Sequence, residues 1–311
     1  MTSGLSVTPA SSRPRVSPGW VLAGALLGIS FAGPLVRLSG ADPLAIAVWR
    51  MAFSLVVVGF ALVLSREWSQ WRGLSLADSA FALMSGAALA LHFWAWNASV
   101  HLTTIAASVT LVSLQPAAIV AISAIFLREA PTFRQVLGIG IAIIGAMIIA
   151  APDFDGTSGL VANRATIGNL LAVSAAVTAA IYYTVGRHLR VRYGVWAYVG
   201  LAYSACAVVL VVLAIVNGTD LYPQPSREMA IFAALAVGPM LIGHTGMNWA
   251  LKYMPAYVVN LVVLGEPVGA TLIGAFLPGI RQVPSIVTLA GGVVVLAGVG
   301  LAATGLRKVN K

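Results

Sequence analysis

Charged residues are scarce in this chain. Only 9% of its 311 residues are Asp, Glu, Lys or Arg, and 59% are apolar, whereas an ordinary soluble domain has about 25% charged and 45–50% apolar residues. These proportions all but exclude a large water-soluble globule. A membrane span needs about 20 mostly apolar residues, so ten spans would occupy about two thirds of the chain and leave no room for a folded domain outside the bilayer.

Cysteine is almost absent. The single cysteine, Cys206, lies in an apolar run, so the chain forms neither an internal disulfide nor a Cys-rich zinc site. Acidic residues are also few, and the formal net charge is +9. Such a charge can indicate nucleic-acid binding, but the basic residues lie singly or in short groups between apolar runs. We therefore expect no nucleic-acid partner and interpret the charges as membrane topology.

Motifs for nucleotides and for catalysis are also missing. The sequence has no P-loop lysine motif, no HExxH and no GxSxG. We therefore expect no direct use of ATP, no cofactor and no metal. An intramembrane enzyme is disfavoured because the loops lack clustered carboxylates and metal ligands, so the sequence predicts a protein that is not an enzyme.

Ten apolar runs are present, and proline residues lie in most of the gaps between them. They predict an all-α membrane protein with ten transmembrane helices. The runs cover residues 20–38, 44–64, 77–97, 105–127, 135–151, 166–185, 195–216, 229–250, 256–277 and 285–306.

The first 19 residues are rich in Ser, Thr and Pro and are predicted to form a disordered tail. Residues 307–311 form a second, short tail. A secretory signal peptide is the alternative for the N-terminal region. We reject it because the internal repeat described below needs the first span as a structural partner.

The basic residues are unevenly distributed between the two sides implied by ten spans. The odd-numbered loops hold only four: Arg37, Arg164, Arg227 and Arg281. The tails and even-numbered loops hold Arg13, Arg15, Arg66, Arg72, Arg128, Arg134, Arg187, Arg190, Arg192, Lys252, Arg307, Lys308 and Lys311. Cytoplasmic loops carry the excess of Lys and Arg, so the sequence predicts both termini in the cytoplasm.

The two halves of the chain resemble each other. A shift of 151 residues places Asn97, Gln115 and Pro116 over Asn248, Glu266 and Pro267. Each half, 20–151 and 166–306, has five spans, and an odd number makes the second half enter the membrane upside down. Inverted repeats are a recurring plan of secondary transporters, which open alternately to each side and bind substrate near the midplane.

The sequence resembles the drug/metabolite transporter superfamily and specifically its ten-helix EamA-type members. The resemblance is carried by Trp-Arg-Met-Ala-Phe-Ser at 49–54, by Gln-Pro at 115–116 with Phe-Leu-Arg-Glu at 126–129, and by Leu-Gly-Glu-Pro-Val at 264–268. One departure is Leu-Pro-Gly at 277–279, where the family often has a Glu. Among members, the chain is similar to YddG-like amino-acid exporters, which implies export of amino acids of broad choice, aromatic ones included.

The candidate cavity residues are polar or aromatic groups inside apolar runs. Ionised and polar groups are costly in lipid, so they should face the protein interior or a wet cavity. For Ser and Thr, hydrogen bonding between helices is the better interpretation, whereas the two histidines favour a cavity. The candidates are His92, Trp96, Gln115, Thr178, Tyr182, His244, Asn248 and Glu266.

Glu266 lies halfway along the ninth run, where an ionised group costs about 2.5–3.5 kcal/mol on insertion scales. It either meets a substrate ammonium group or exchanges a proton. The alternative is a neutral acid that satisfies backbone groups freed by Pro267. Both interpretations of Glu266 stay open.

Pro116 and Pro267 each remove a helical hydrogen bond at midspan, so the fourth and ninth helices should bend there. Their symmetric placement predicts hinges for alternating access. A static kink is the alternative for either proline alone. Gly24, Gly28 and Gly298 are expected to permit close helix contact.

Arg50 lies inside the second run. One interpretation is a counter-charge for a substrate carboxylate. The sequence favours another, in which the long side chain snorkels to the interface or binds backbone carbonyls.

The expected partners are the lipid bilayer and a small-molecule substrate. One midspan acid without a midspan lysine suits a zwitterion better than a phosphorylated cargo, which needs an Arg or Lys clamp. A multidrug or other metabolite exporter that is coupled to protons through Glu266 is the main alternative. Facilitated diffusion, exchange and proton antiport all stay open.

Overall fold

The computed structural model describes residue 14 and residues 16–126, 132–150 and 160–304, and every regular element in these ranges is helical. The first half contains α1 (Pro18–Ser30), α2 (Ala32–Leu38), α3 (Pro43–Leu64), α4 (Leu76–Leu102), α5 (Ile105–Val112), α6 (Gln115–Phe126) and α7 (Phe133–Ala150). The second contains α8 (Leu160–Arg190), α9 (Val195–Val216), α10 (Ser226–Leu235), α11 (Gly246–Ala250), α12 (Ala256–Asn260), α13 (Glu266–Phe276) and α14 (Ile286–Thr304).

Within the described ranges, three helical segments deviate from the α-helix. A 3₁₀-helix, Glu67–Gly73, lies between α3 and α4, and a second one, Leu261–Gly265, joins α12 to α13. A π-helix, Ala236–Thr245, joins α10 to α11. The predicted tails lie largely outside the described residues, as do residues 127–131 with Arg128 and Glu129.

In the part of the chain that the structure describes, eight helical stretches are long and apolar enough to cross a membrane. They are Pro18–Leu38, Pro43–Leu64, Leu76–Leu102, Ile105–Ile122, Asn163–Arg190, Val195–Val216, Ser226–Ala250 and Ala256–Phe276. Shorter apolar helices are present at Val136–Gly145 and Ile286–Ala302. The chain is therefore an all-α, multi-pass membrane protein, as predicted, whereas the count of ten spans stays a prediction.

Side-chain caps fix where three helices of the first half begin. The side chains of Asp42, Ser75 and Thr104 accept hydrogen bonds from the backbone N–H groups of Leu44, Asp78 and Ala107, at 2.8, 3.0 and 3.1 Å. The first N–H groups of a helix have no partner within it, so such a cap stabilises its start. Asp42 and Thr104 lie in connections of only a few residues, whereas Ser75 follows the 3₁₀-helix Glu67–Gly73.

The helix contacts repeat between the two halves with exchanged partners. α4 packs against α8, and α1 packs against the π-helix and α11, which is the same pairing with the halves exchanged. α3 packs on α9, and α7 packs on α14, so two further equivalent helices meet each other. This exchange of partners is what a two-fold relation between the halves produces.

Glycine lets α1 approach the π-helix at backbone distance. A Cβ atom at Gly28 would lie 2.7 Å from the carbonyl oxygen of Gly238, closer than packed atoms approach, so only glycine fits. Gly298 has an equally close contact with the backbone of α7, whereas a Cβ at Gly24 would meet no described atom within 4 Å. The prediction of close contact is therefore confirmed at Gly28 and Gly298 and wrong at Gly24. The sequence predicts the same for Gly292 and Gly300, where a Cβ would also meet no described atom within 4 Å.

Candidate substrate-binding site

Two helices are interrupted at the centre of the molecule, at matching places in the two halves. α5 ends at Val112 and α6 begins at Gln115, while α13 begins at Glu266 after the 3₁₀ turn. Pro116 and Pro267 are thus the second residues of new helices, where a missing N–H group is tolerated. The α-helical pattern changes on the N-terminal side of each proline, to a turn at residues 113–114 and to the 3₁₀-helix Leu261–Gly265, while the bends themselves stay a prediction.

The two interruptions are in contact. The hydroxyl group of Ser113, in the break between α5 and α6, donates hydrogen bonds to the carbonyl oxygens of Val109 at 2.7 Å and Val263 at 3.2 Å. Val263 lies in the turn before Glu266. The polar residues that follow the breaks, Gln115 and Glu266, therefore reach the same region.

A small cavity lies beside these breaks, with a volume of about 30 Å³. Residues of both halves form its wall. The polar and charged part of the wall is Arg50, His92, Trp96, Gln115, His244 and Glu266. A water molecule needs roughly 10–15 Å³ of such space, so the cavity has room for water but must widen for a metabolite.

Five of the eight candidate residues lie on this wall, and three do not. The hydroxyl group of Thr178 donates to the carbonyl oxygens of Ser174 and Ala175 on its own helix, both at 3.1 Å. Tyr182 is fully buried, and its hydroxyl accepts a hydrogen bond from Nδ2 of Asn248 at 2.5 Å. Tyr182 and Asn248 thus contact each other away from the cavity.

Both histidine rings are fixed by hydrogen bonds. Nδ1 of His92 donates to the carbonyl oxygen of Ala175 at 2.9 Å, and Nδ1 of His244 lies 2.9 Å from the hydroxyl oxygen of Tyr183. The ring centres of His92 and His244 are 5.9 Å apart, and Tyr183 is stacked on His244 with an interplanar angle of 5°. Aromatic surface therefore surrounds the two imidazoles.

Arg50 is part of the cavity wall and is only 1% exposed. Its guanidinium carbon lies 4.0 Å from the centre of the Phe93 ring, and Nη2 lies 3.9 Å from the sulfur of Met240. The interpretation that Arg50 snorkels or binds backbone carbonyls is wrong. The apolar run around Arg50 shows that the residue lies within a span, but it does not show which side chains of neighbouring helices enclose the guanidinium group.

The π-helix shapes one side of the cavity. It contains Pro239 and ends just after His244, and both residues line the cavity. The hydroxyl group of Thr245 donates to the carbonyl oxygen of Met240 at 3.2 Å, five residues earlier. π-Helices are rare and are frequent at functional sites. Sequence reasoning missed this element, and Pro239 inside the eighth run was its only signal.

A buried carboxylate connects the start of α4 to the loop between α8 and α9. Asp78, near the start of α4, is 3% exposed and pairs with Nη1 and Nη2 of Arg192 at 3.0 and 2.5 Å. The hydroxyl group of Tyr193 donates to the same carboxylate at 2.8 Å. Partial burial and this hydrogen bond raise the pKa of Tyr193, so the phenol stays protonated. We call Asp78, Arg192 and Tyr193 the Asp78 latch.

An equivalent arrangement closes the other end. Glu228, near the start of α10, accepts hydrogen bonds from the hydroxyl of Ser39 at 2.5 Å and the N–H of Gly40 at 3.3 Å. We call Glu228, Ser39 and Gly40 the Glu228 latch. Arg37 donates to the carbonyl oxygens of Val100 and Thr103 at the C-terminal end of α4, so this latch lies about 40 Å, the length of α4, from Asp78.

The two latches occupy equivalent positions in the halves. A shift of 150 residues places Asp78 over Glu228 and Arg37 over Arg187. Arg187 donates to the carbonyl oxygen of Leu251 next to the end of α11, as Arg37 does at the end of α4. Sequence reasoning missed both latches, although an acid in the first turn of the third and eighth helices was a visible signal.

Comparison with known proteins agrees with this architecture. The model of the EamA-like transporter family matches residues 19–151 and again residues 166–304. The chain belongs to the EamA-like transporter family. The predicted resemblance to the drug/metabolite transporter superfamily is thus confirmed, and the EamA protein described here is a membrane transporter of small molecules.

Two relatives are similar over nearly the full length. An uncharacterized transporter of Archaeoglobus fulgidus is 26% identical over 282 residues, which cover 88% of the EamA chain and 92% of the relative. A protein of known crystal structure is 19% identical, has a TM-score of 0.67 and covers 95% of this chain and 100% of its own. The second likeness shows that the fold is shared.

Proposed function

We propose that this EamA-family protein exports small zwitterionic metabolites, above all amino acids of broad choice including aromatic ones, across a bacterial-type inner membrane. The observation that carries the proposal is the cavity beside the helix breaks, which both halves line and whose wall includes the Glu266 side chain. The sequence likeness to YddG-like amino-acid exporters supports the same substrate class. Residues 1–19 and 307–311 are the cytoplasmic tails of this protein.

The wall of the cavity suits an amino acid. Phe93, Trp96 and Tyr183 offer aromatic surface to an apolar side chain. Glu266 offers a carboxylate to an ammonium group, and Gln115 offers an amide. Only one Arg and no Lys line the cavity in the described part of the chain, whereas a phosphorylated cargo is usually held by several cations or bidentate contacts.

The two latches and the exchanged helix pairs support alternating access. Residues 20–151 and 166–306 act as two inverted halves that rock around the cavity, as in other inverted-repeat transporters. Release of the Asp78 latch opens the cytoplasmic side, and release of the Glu228 latch opens the opposite side. Pro116 and Pro267, directly after the helix interruptions, are the hinges of this motion.

A proton-coupled multidrug or metabolite exporter is the second candidate. It is favoured by Glu266, which is 6% exposed on the cavity wall and forms no ion pair within the described residues. Such an exporter needs this carboxylate to exchange a proton in every cycle. It would prefer bulky lipophilic cations to zwitterions.

Uptake by proteoliposomes separates the two candidates. Purified wild-type protein and Glu266→Gln are compared for uptake of radiolabelled phenylalanine, with and without a pH gradient, and Asp220→Asn is the control for loss of an exposed acid. Saturable uptake by the wild type supports the amino-acid proposal. If well-folded protein takes up no amino acid but takes up a lipophilic cation under a pH gradient, the multidrug candidate replaces it.

A further inference from the structure

We propose that Arg50 binds the carboxylate of the substrate and thereby restricts transport to molecules that carry a free carboxylate. The inference rests on the proposed amino-acid function and adds a residue that determines specificity. It arises from the unusual surroundings of the guanidinium group in the cavity wall.

The guanidinium group has no oxygen partner in the described part of the chain. Nε and Nη1 of Arg50 are buried and form no hydrogen bond, and Nη2 has only the sulfur of Met240 at 3.9 Å. Buried donors are nearly always satisfied, and an unpaired buried charge is costly. The Phe93 ring attracts the guanidinium cation. It accepts no conventional hydrogen bond from the N–H groups. Arg50 therefore has donors left for an oxyanion that the protein does not supply.

The carboxyl group of Glu266 lies on the same cavity wall, but it forms no ion pair with Arg50. The ion pairs among the described residues are Arg192–Asp78 and Arg227–Glu228. The guanidinium group of Arg50 and the carboxyl group of Glu266 thus lie on one cavity wall without pairing with each other. An α-amino acid presents the complementary pair, a carboxylate and an ammonium group.

Two further unsatisfied groups lie on the same wall. Nε1 of Trp96 is a buried donor without a partner, and Oε1 of Gln115 is a buried acceptor without a partner. A donor suits the carboxylate of a substrate, and an acceptor suits its ammonium group. The cavity wall therefore has both an unpaired hydrogen-bond donor and an unpaired acceptor, and a zwitterion requires both.

Ligand affinity measured on detergent-solubilised full-length protein tests the inference. The probes are phenylalanine, phenylalaninamide, which lacks the carboxylate, and 3-phenylpropionate, which lacks the amine. We expect the wild type to bind phenylalanine at least tenfold more tightly than phenylalaninamide. Arg50→Gln should weaken phenylalanine binding at least tenfold, leave phenylalaninamide within twofold and so abolish the preference. Glu266→Gln should instead reduce the preference for phenylalanine over 3-phenylpropionate.

Two further variants distinguish a loss of ligand binding from a loss of folding. Arg50→Lys retains the charge but loses the forked donors, so it should retain a weaker preference for phenylalanine. Arg164→Gln removes an exposed arginine and should change nothing.

The possible results separate the two proposals. Equal binding of phenylalanine and phenylalaninamide by the wild type overturns the role of Arg50 alone, and so does Arg50→Gln weakening both ligands alike. If chloride or formate binds at Arg50 and phenylalanine does not compete with it, the proposed role of Arg50 is overturned as well. If the wild type binds none of the amino-acid probes, the proposed function fails, and this inference fails with it.

Discussion

The hydroxyl group of Ser113 donates a hydrogen bond to the carbonyl oxygen of Val263, at 3.2 Å, and so joins the interrupted helix of one half to the interrupted helix of the other. Both residues precede a proline that begins a new helical segment, Pro116 and Pro267. A movement at one break therefore acts directly on the other. Gln115 and Glu266 lie between these breaks and the cavity, so the movement also changes the site.

The hinge role of Pro267 predicts slower transport when the proline is replaced. Pro267→Ala restores a backbone donor, and a backbone hydrogen bond contributes about 1 kcal/mol, so we expect turnover to fall about fivefold with little change in affinity. The initial rate of phenylalanine uptake over a range of concentrations measures both quantities. Pro284→Ala, N-terminal to α14, is the control. A normal rate with unchanged affinity would remove the main support for the hinge.

The Asp78 latch predicts a local effect of its carboxylate. Asp78→Asn removes the ion pair with Arg192, and because Arg192 is half-exposed we expect a loss of about 1 kcal/mol. Hydrogen–deuterium exchange should become faster at residues 191–197 and stay unchanged at residues 36–42. Faster exchange throughout the protein would indicate general destabilisation and contradict a latch.

The Glu228 latch predicts the opposite pattern of hydrogen–deuterium exchange. Glu228→Gln weakens the hydrogen bonds from Ser39 and Gly40, which are charge-assisted in the wild type. We expect faster exchange at residues 36–42 and no change at residues 191–197. If the two variants produced the same exchange pattern, the latches would not act at opposite ends.

The close approach of α1 to the π-helix predicts a strong effect of one methyl group. Gly28→Ala places a Cβ atom against the backbone of Gly238, and overpacking of this kind costs about 1–3 kcal/mol. Thermal unfolding in detergent should therefore begin at a lower temperature. Gly24→Ala, four residues earlier on the same helix, adds a Cβ atom in open space and should unfold like the wild type. Equal stability of the two variants would show that the contact is unimportant.

The sequence predicts the all-α membrane fold well because long apolar runs and the prolines between them are visible in the order of residues, without knowledge of tertiary contacts. It also places Gln115 and Glu266 together, because the internal repeat relates them. It does not reveal the enclosure of Arg50 by Phe93 and Met240, since a helical period says nothing about which neighbouring helix lies against a given face. The π-helix is missed for a similar reason, because its hydrogen bonds depend on tertiary packing around Pro239.

Thr178 and Asn248 illustrate the same limit. Both belong to polar stripes with the correct helical spacing, yet Thr178 binds its own helix and Asn248 binds Tyr182. A stripe indicates that a face avoids lipid, but hydrogen bonding between helices satisfies that condition as well as a cavity does. Only the arrangement of neighbouring helices separates the two cases.

Counterflow is the most direct test of the central claim, which is alternating access to one amino-acid site. Proteoliposomes loaded with unlabelled phenylalanine are diluted into a trace of labelled phenylalanine, and the labelled compound inside is followed over time. The account predicts a transient accumulation above the equilibrium level, with saturation at high internal concentration and a smaller overshoot in Pro267→Ala. A monotonic approach to equilibrium without saturation would indicate a passive channel and contradict the account.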